Sequence, residues 1–304
     1  MTTSDFTLNA TTTMPAVGFG TYLITNDQTP EAVKAAIETG YRHIDTAQGY
    51  QNEEGVGKGV RAGIEAKGLR REDIFVTTKL WPGNPAWGQE PADGPATLAA
   101  FENSLETLGF DYVDLYLIHA PYGGAHRIAE WEALLELKAQ GRARAAGVSN
   151  FNSDHLDEIE AAGLPMPDAN QVELHPWSQK TDLIGKMRAL GIQPIAYSSL
   201  APLSTWRSAP GQDSAKSDEM KVGGVDAPFQ VMAQKYGVSE AQLLLRWGVQ
   251  NGYAVLPKSL NATRMAQNLD LFSFEIDADD MATMLEMDRG LSIAWATGDP
   301  SEVD

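Results

Sequence analysis

The spacing of apolar positions along this chain changes repeatedly, and in a regular order. Short runs rich in β-branched and aromatic residues alternate with longer stretches whose apolar residues recur every three or four positions. The short runs are VGFGTY (17–22), RHIDT (42–46), DIFVTTKL (73–80), YVDLYLIH (112–119), RAAGVSNF (144–151), NQVELH (170–175), IQPIAYSS (192–199) and YAVLPKS (253–259). Each is predicted to be a strand. Between them Leu98, Phe101, Leu105 and Leu108 share one helical face, as do Ile128, Trp131, Leu134 and Leu135, and Leu183, Met187 and Leu190. TPEAVKAAIETG (29–40) is expected to be a helix with Thr29 as its N-cap, Pro30 at its first position and Gly40 as its stop. Two helical segments, about 225–236 and 239–251, precede the last strand, and a final helix falls in DADDMATMLEMD.

Eight strands alternating with helices predict an α/β fold, a (β/α)8 barrel spanning residues 1–304 as a single domain, with extra helices near the C-terminus. Phe6–Leu8 and Met14–Val17 flank a polar NATTT and suggest an N-terminal β-hairpin. No GxGxxG follows the first strand, and the GFG at 18–20 is too short for a dinucleotide fingerprint, so a doubly wound sheet is not expected. Two long loops, 81–94 and 201–224, follow the third and seventh strands. Both leave the C-terminal strand ends, the face where barrels carry their chemistry.

Polar residues collect at that face. Asp45 ends the second strand, Tyr50 lies just past it, Lys79 interrupts an apolar run near the end of the third, and His119 ends the fourth. They are distant in sequence, yet a barrel brings them to one rim. Taken singly, Asp45 with Lys79 reads as a structural ion pair and His119 as a satisfied core histidine. Together they point to a catalytic centre.

Composition narrows the alternatives. With 41 acidic against 23 basic residues, the net charge of −18 argues against nucleic acid as a partner. The absence of cysteine excludes disulfides, a thiolate nucleophile and a sulfur-ligated metal. The first residues carry no basic, apolar leader, and no apolar run is long enough to span a membrane. A cytoplasmic protein acting on a small molecule is expected, as a monomer, with a dimer as the alternative.

The blocks GYRHIDTAQGYQNE, TTKLW, DLYLIH, GVSNF, NQVELHP and LPKSLNATRMAQNLD, in this order, resemble those of the aldo-keto reductases, NAD(P)H-dependent (β/α)8 enzymes. The resemblance runs over roughly residues 6–299. It implies that Tyr50 is the general acid that protonates a carbonyl as hydride arrives. Lys79 would lower the tyrosine pKa, Asp45 would hold Lys79, and His119 would orient the substrate, with no metal required. It also implies that Ser149, Asn150 and Gln171 hold the nicotinamide carboxamide and that Tyr197 stacks on the ring. Lys258, Ser259 and Arg264 would take the 2′-phosphate, and Asn268 the adenine. NADP(H) is therefore the expected cofactor and an aldehyde or ketone the substrate, with an NAD-preferring alcohol or sugar dehydrogenase as the alternative. Tyr22, Trp81, Ala120 and Trp295 are the expected substrate contacts. The chain departs from the family pattern at Ala120, where many members have tryptophan, which suggests a wider pocket. It departs again at Ser199 and Gln267, where proline and glutamate are common.

Overall fold

The computed structural model describes residues 5–203, 228–290, 292–295 and 298–303. A hairpin comes first: β1 (Asp5–Asn9) pairs antiparallel with β2 (Thr12–Pro15), placing Phe6 opposite Met14. Eight strands follow: β3 (Phe19–Gly20), β4 (His43–Asp45), β5 (Phe75–Leu80), β6 (Val113–Ile118), β7 (Ala143–Ser149), β8 (Ala169–Glu173), β9 (Gln193–Tyr197) and β10 (Ala254–Val255). They lie side by side in chain order, every pair parallel. The two ends of the sheet meet. Val17 bridges Val255, Gly18 N–H donates to Val255 O at 2.8 Å, and Gly20 N–H donates to Pro257 O at 3.1 Å. A closed (β/α)8 barrel results, as the alternation of runs predicts.

β3 and β10 are much shorter than the runs 17–22 and 253–259. Pro257 has no N–H to extend the ladder, and glycines flank Phe19 on the other side. β9 stops at Tyr197 because Ser198 turns to φ 53°, outside the extended region.

Side chains alternate across each strand. Phe75, Leu115, Leu117, Ala145, Ala169, Ile195 and Ala254 pack together inside the barrel with Leu8 and Met14 of the hairpin. The hairpin thus plugs the N-terminal end. Val76, Leu80, Tyr116, Ile118, Val148, Val172 and Ala196 face outward into a larger core shared with the helices.

Six helices alternate with the strands: α1 (Thr29–Thr39), α2 (Glu53–Lys67), α3 (Gly94–Leu108), α4 (Arg127–Ala139), α5 (Ser153–Ala161) and α6 (Thr181–Ala189). Pro228–Tyr236 and Glu240–Gln250 precede β10; Ala262–Leu269 and Ala278–Leu285 follow it. Thr29 is not the cap of α1. Gln28 holds that position, and the Thr29 hydroxyl, already in the first turn, donates back to Thr25 O at 2.8 Å. Gly40 ends α1 at φ 126° as expected.

The apolar pattern did not reveal α2, and its composition explains why. Gly55, Gly57, Gly59 and Gly63 dilute both its periodicity and its helix propensity. The same glycines allow close packing. A Cβ at Gly59 would lie 2.7 Å from Val33 Cβ, one at Gly63 2.8 Å from Ile37 Cβ, and one at Gly57 1.9 Å from Leu108 O. The 81–94 loop is less irregular than its sequence suggests. It holds a 3-10 turn, Pro85–Trp87, capped by Asn84, and Asp93 caps α3 by accepting from Ala96 N at 2.8 Å. Of the 201–224 loop, Ala201–Leu203 forms a 3-10 turn and the remainder lies outside the described residues.

Candidate active site

The alternation that fills the barrel also builds the site. Lys79 is inward because Phe75 is; His119 follows Leu115 and Leu117, Ser149 follows Ala145, Gln171 follows Ala169, and Tyr197 follows Ile195. Asp45 closes β4 on the same side. At the C-terminal end these inner positions turn from apolar to polar and converge.

Lys79 is fully enclosed, and its Nζ donates to Asp45 Oδ1 at 2.6 Å, to Thr46 O at 2.8 Å and to the Tyr50 hydroxyl at 3.4 Å. The other Asp45 oxygen accepts from Gln171 Nε2 at 2.9 Å. Burial lowers the Lys79 pKa, while Asp45 at contact distance works to keep the ammonium charged. The ammonium also lies over the Tyr50 ring, 4.9 Å from its centroid.

Tyr50 differs from the sequence expectation in its electrostatics. Lys79 was expected to lower its pKa. Instead burial holds the phenol well above its ordinary value of 10, with Asp45 and Tyr22 adding to the effect. The Lys79 ammonium is shared with Asp45 at 2.6 Å and does not outweigh that burial. Tyr50 is therefore a fully protonated donor at neutral pH. His119 is shifted in the opposite sense: burial, with the Lys79 charge beside it, holds the imidazole well below its ordinary 6.5, so the ring is neutral. Its ring centroid lies 5.4 Å from that of Tyr50 in an edge-on arrangement.

A second network underlies this one. The Tyr197 hydroxyl donates to Asn150 Oδ1 at 2.7 Å, and Asn150 Nδ2 donates to His119 O at 2.9 Å and Ser149 Oγ at 3.1 Å. Ser149 Oγ donates to Gln171 O at 2.7 Å. Asn150 adopts φ 62°, a left-handed conformation that asparagine tolerates better than most residues. The four residues expected at the nicotinamide are thus adjacent and cross-braced.

Aromatic rings wall the mouth. Trp81 stacks on Trp87 at 5.5 Å and meets His119 and Tyr122 edge-on at 5.6 and 5.9 Å. Trp295 of the C-terminal tail lies 6.0 Å from His119 and 6.1 Å from Tyr122, and Tyr22 lies 5.0 Å from Tyr50. Tyr122 carries no sequence signal, standing in an irregular PYGG stretch. Trp81 is fixed by two glutamines: Gln48 Oε1 accepts from its backbone N–H at 3.0 Å, and Gln89 Oε1 from its indole at 2.8 Å. Ala120 is fully enclosed, and Tyr122 and Trp295, edge-on at 6.1 Å, add further wall at the mouth.

Lys258 and Arg264 sit apart from this centre, on the exposed rim beyond β10. Neither is ion-paired to a carboxylate among the described residues. Buried Ser259 lies between them in sequence, its Oγ 3.4 Å from Arg264 Nε, and the helix Ala262–Leu269 begins here with Asn261 as its cap. Two exposed cations, a hydroxyl and a helix N-terminus are a donor set suited to a phosphate. Asn268 is buried in the same helix. No described helix is long and apolar enough to cross a membrane.

Comparison with known proteins shows the family. The model of the aldo/keto reductase family matches residues 16–289. Morphine 6-dehydrogenase of Pseudomonas putida is 40% identical over 298 residues, covering 98% of this chain and 94% of that protein. Glyoxal reductase of Bacillus subtilis is 40% identical over 269 residues, covering 88% and 87%. Among solved structures, a Bombyx mori aldo-keto reductase in complex with NADP superposes with a TM-score of 0.84 at 31% identity, over 98% of this chain and 96% of that one. The chain is an oxidoreductase and belongs to the aldo/keto reductase family.

Proposed function

We propose that the protein reduces small aldehydes and ketones to alcohols with NADPH, Tyr50 giving the proton to the carbonyl oxygen. The observation that carries this reading is the Tyr50 hydroxyl 3.4 Å from a fully buried ammonium that Asp45 holds at 2.6 Å. The nicotinamide supplies the hydride when bound. All other functions fall to the chain itself.

Tyr50, kept protonated by burial, donates a hydrogen bond to the carbonyl oxygen. As negative charge grows there, that oxygen becomes far more basic than a phenol, and the proton moves downhill to it. Lys79, itself fully buried, then faces the phenolate and stabilises it. Asp45 and Gln171 fix Lys79 so that no reorganisation is needed at that moment. Neutral His119 offers a second hydrogen-bonding group on the same oxygen and fixes its direction. When the cofactor is bound, Ser149, Asn150 and Gln171 would hold its carboxamide and Tyr197 would lie against the nicotinamide ring. Lys258, Ser259 and Arg264 take the 2′-phosphate, with Asn268 at the adenine. The NADP bound by the Bombyx mori relative supports that assignment.

Tyr50→Phe tests the reading. It should lower kcat for carbonyl reduction by about 10²–10⁴-fold while NADPH still binds. A variant with wild-type turnover on a substrate whose chemical step is rate-limiting removes Tyr50 from the mechanism.

A further inference from the structure

Glu173 closes β8 on the inner side of the barrel, 1% exposed, and has no part in the chemistry above. Its carboxylate reaches the C-terminal tail. Oε1 accepts from Ile293 N–H and Oε2 from Ala294 N–H, both at 2.9 Å. His175, also fully buried, places Nε2 2.9 Å from Oε1. Two consecutive backbone amides thus sit on the two oxygens of one buried carboxylate, a fork that only an acceptor on both arms can satisfy. The tail is also held farther on, where Lys180 Nζ donates to Asp299 Oδ2 at 3.0 Å.

The next residue after the fork is Trp295. Its indole N–H donates to the Tyr197 hydroxyl at 2.9 Å, Tyr197 donates to Asn150 at 2.7 Å, and Asn150 donates to His119 O at 2.9 Å. The same indole stands 6.0 Å from the His119 ring. One wall of the carbonyl pocket is therefore hydrogen-bonded directly to the ring proposed to carry the nicotinamide. We propose that Glu173 is a positioning residue, which sets the tail against the pocket and, through Trp295, holds Tyr197 in place for the cofactor. The inference rests on the carbonyl-reductase reading. Its consequence is that tail and cofactor are coupled: a substrate that pushes Trp295 aside also loosens the platform beneath the nicotinamide.

Glu173→Gln keeps the shape but turns an NH2 group toward one of the two amides. Trp295→Phe keeps the fork but removes the bond to Tyr197. Three measurements are made on both variants, the double variant and the wild type: hydrogen exchange of the 290–295 peptide, the NADPH dissociation constant by fluorescence quenching, and KM with kcat. Glu173→Gln should exchange the tail amides about tenfold faster, and raise both KM and the NADPH dissociation constant about fivefold, with kcat changed less than about twofold. In the Trp295→Phe background the same substitution should leave NADPH affinity unmoved, because the link is already cut. Additive effects on NADPH binding, or unchanged tail exchange, overturn the proposal. Should Glu173→Gln not fold, Trp295→Phe carries the test: unchanged NADPH affinity in it is also fatal. A wild type that binds NADPH but reduces no carbonyl refutes the functional reading and leaves the exchange and NADPH-affinity tests of Glu173 standing.

Discussion

Glu130 on α4 is fully buried, and neither of its oxygens has a hydrogen-bond partner among the described residues. It presses against Gly123, where a Cβ would lie 2.4 Å from Oε1. The nearby Arg127 does not rescue it, because that guanidinium is engaged by Glu158 at 2.6 and 2.9 Å and by Pro121 O at 3.1 Å. Tyr116 on β6 faces it with a phenol that burial holds well above its ordinary value of 10, and so stays neutral. Burial pushes the Glu130 carboxyl up to about 8 from an ordinary 4.5. The folded protein therefore holds this proton more tightly than the unfolded chain does. The stability due to the neutral form is fully present below pH 4.5 and is lost as pH rises through 8. Linkage puts the loss at ~2.5 kcal/mol between pH 5 and pH 7, and at ~5 kcal/mol once both forms are ionised. Glu130→Gln fixes the side chain in a neutral form of the same shape. Urea unfolding of both proteins at pH 5, 6, 7 and 8 should show the variant gaining ~2.5 kcal/mol on the wild type from pH 5 to pH 7. Other groups titrate in both proteins and cancel in the difference. A difference that stays constant with pH refutes the reasoning, since it would mean that Glu130 ionises in the fold as easily as in the unfolded chain.

Three further outcomes are expected. Lys79→Met leaves Asp45 charged in a site where it is 3% exposed, so it should cost ~3–5 kcal/mol of stability and abolish most reduction; a variant that loses neither in denaturant titration and turnover places the pair outside the site. Lys258→Ala with Arg264→Ala should weaken NADPH binding by about 10²–10⁴-fold and leave NADH binding nearly unmoved in fluorescence quenching. Equal affinity for the two cofactors in the wild type would instead favour an NAD-preferring alcohol or sugar dehydrogenase. Because Tyr50 is held above 10 and His119 below 6.5, neither changes protonation near neutrality. The plot of kcat/KM for reduction against pH should therefore be flat from about pH 6.5 to pH 9, and a steep limb inside that window contradicts both assignments.

Much of this was legible in the sequence, for reasons that differ by element. β5 and β6 are buried on both faces of a parallel sheet and mostly apolar, so their runs stand out, and Lys79 is conspicuous within one of them. The order of strands follows from the alternation alone, because right-handed crossovers place sequential strands side by side. α2 was hidden because packing against α1 and α3 demands glycine where a pattern search wants leucine. Tyr122 was hidden because an irregular segment has no period, and only the fold carries its ring to Trp81. The sign of the Tyr50 shift is not readable from the sequence, because charge proximity can be read from a motif, whereas desolvation depends on what covers the group.

The alternation of each strand has a consequence for how this enzyme can change. In β5, Phe75, Thr77 and Lys79 belong to the interior, while Val76, Thr78 and Leu80 belong to the helix layer. Two messages are thus interleaved in one short segment. Substitutions on the outer set act on the packing against the helices, whereas those on the inner set reach the barrel core and, at Lys79, the chemistry. A deletion of one residue has no such freedom. It would turn Lys79 toward the helices and bring an apolar neighbour to the mouth, exchanging both messages at once. Lineages descended from this chain are therefore free to lengthen the loops beyond the strands, but are held to the strand lengths themselves.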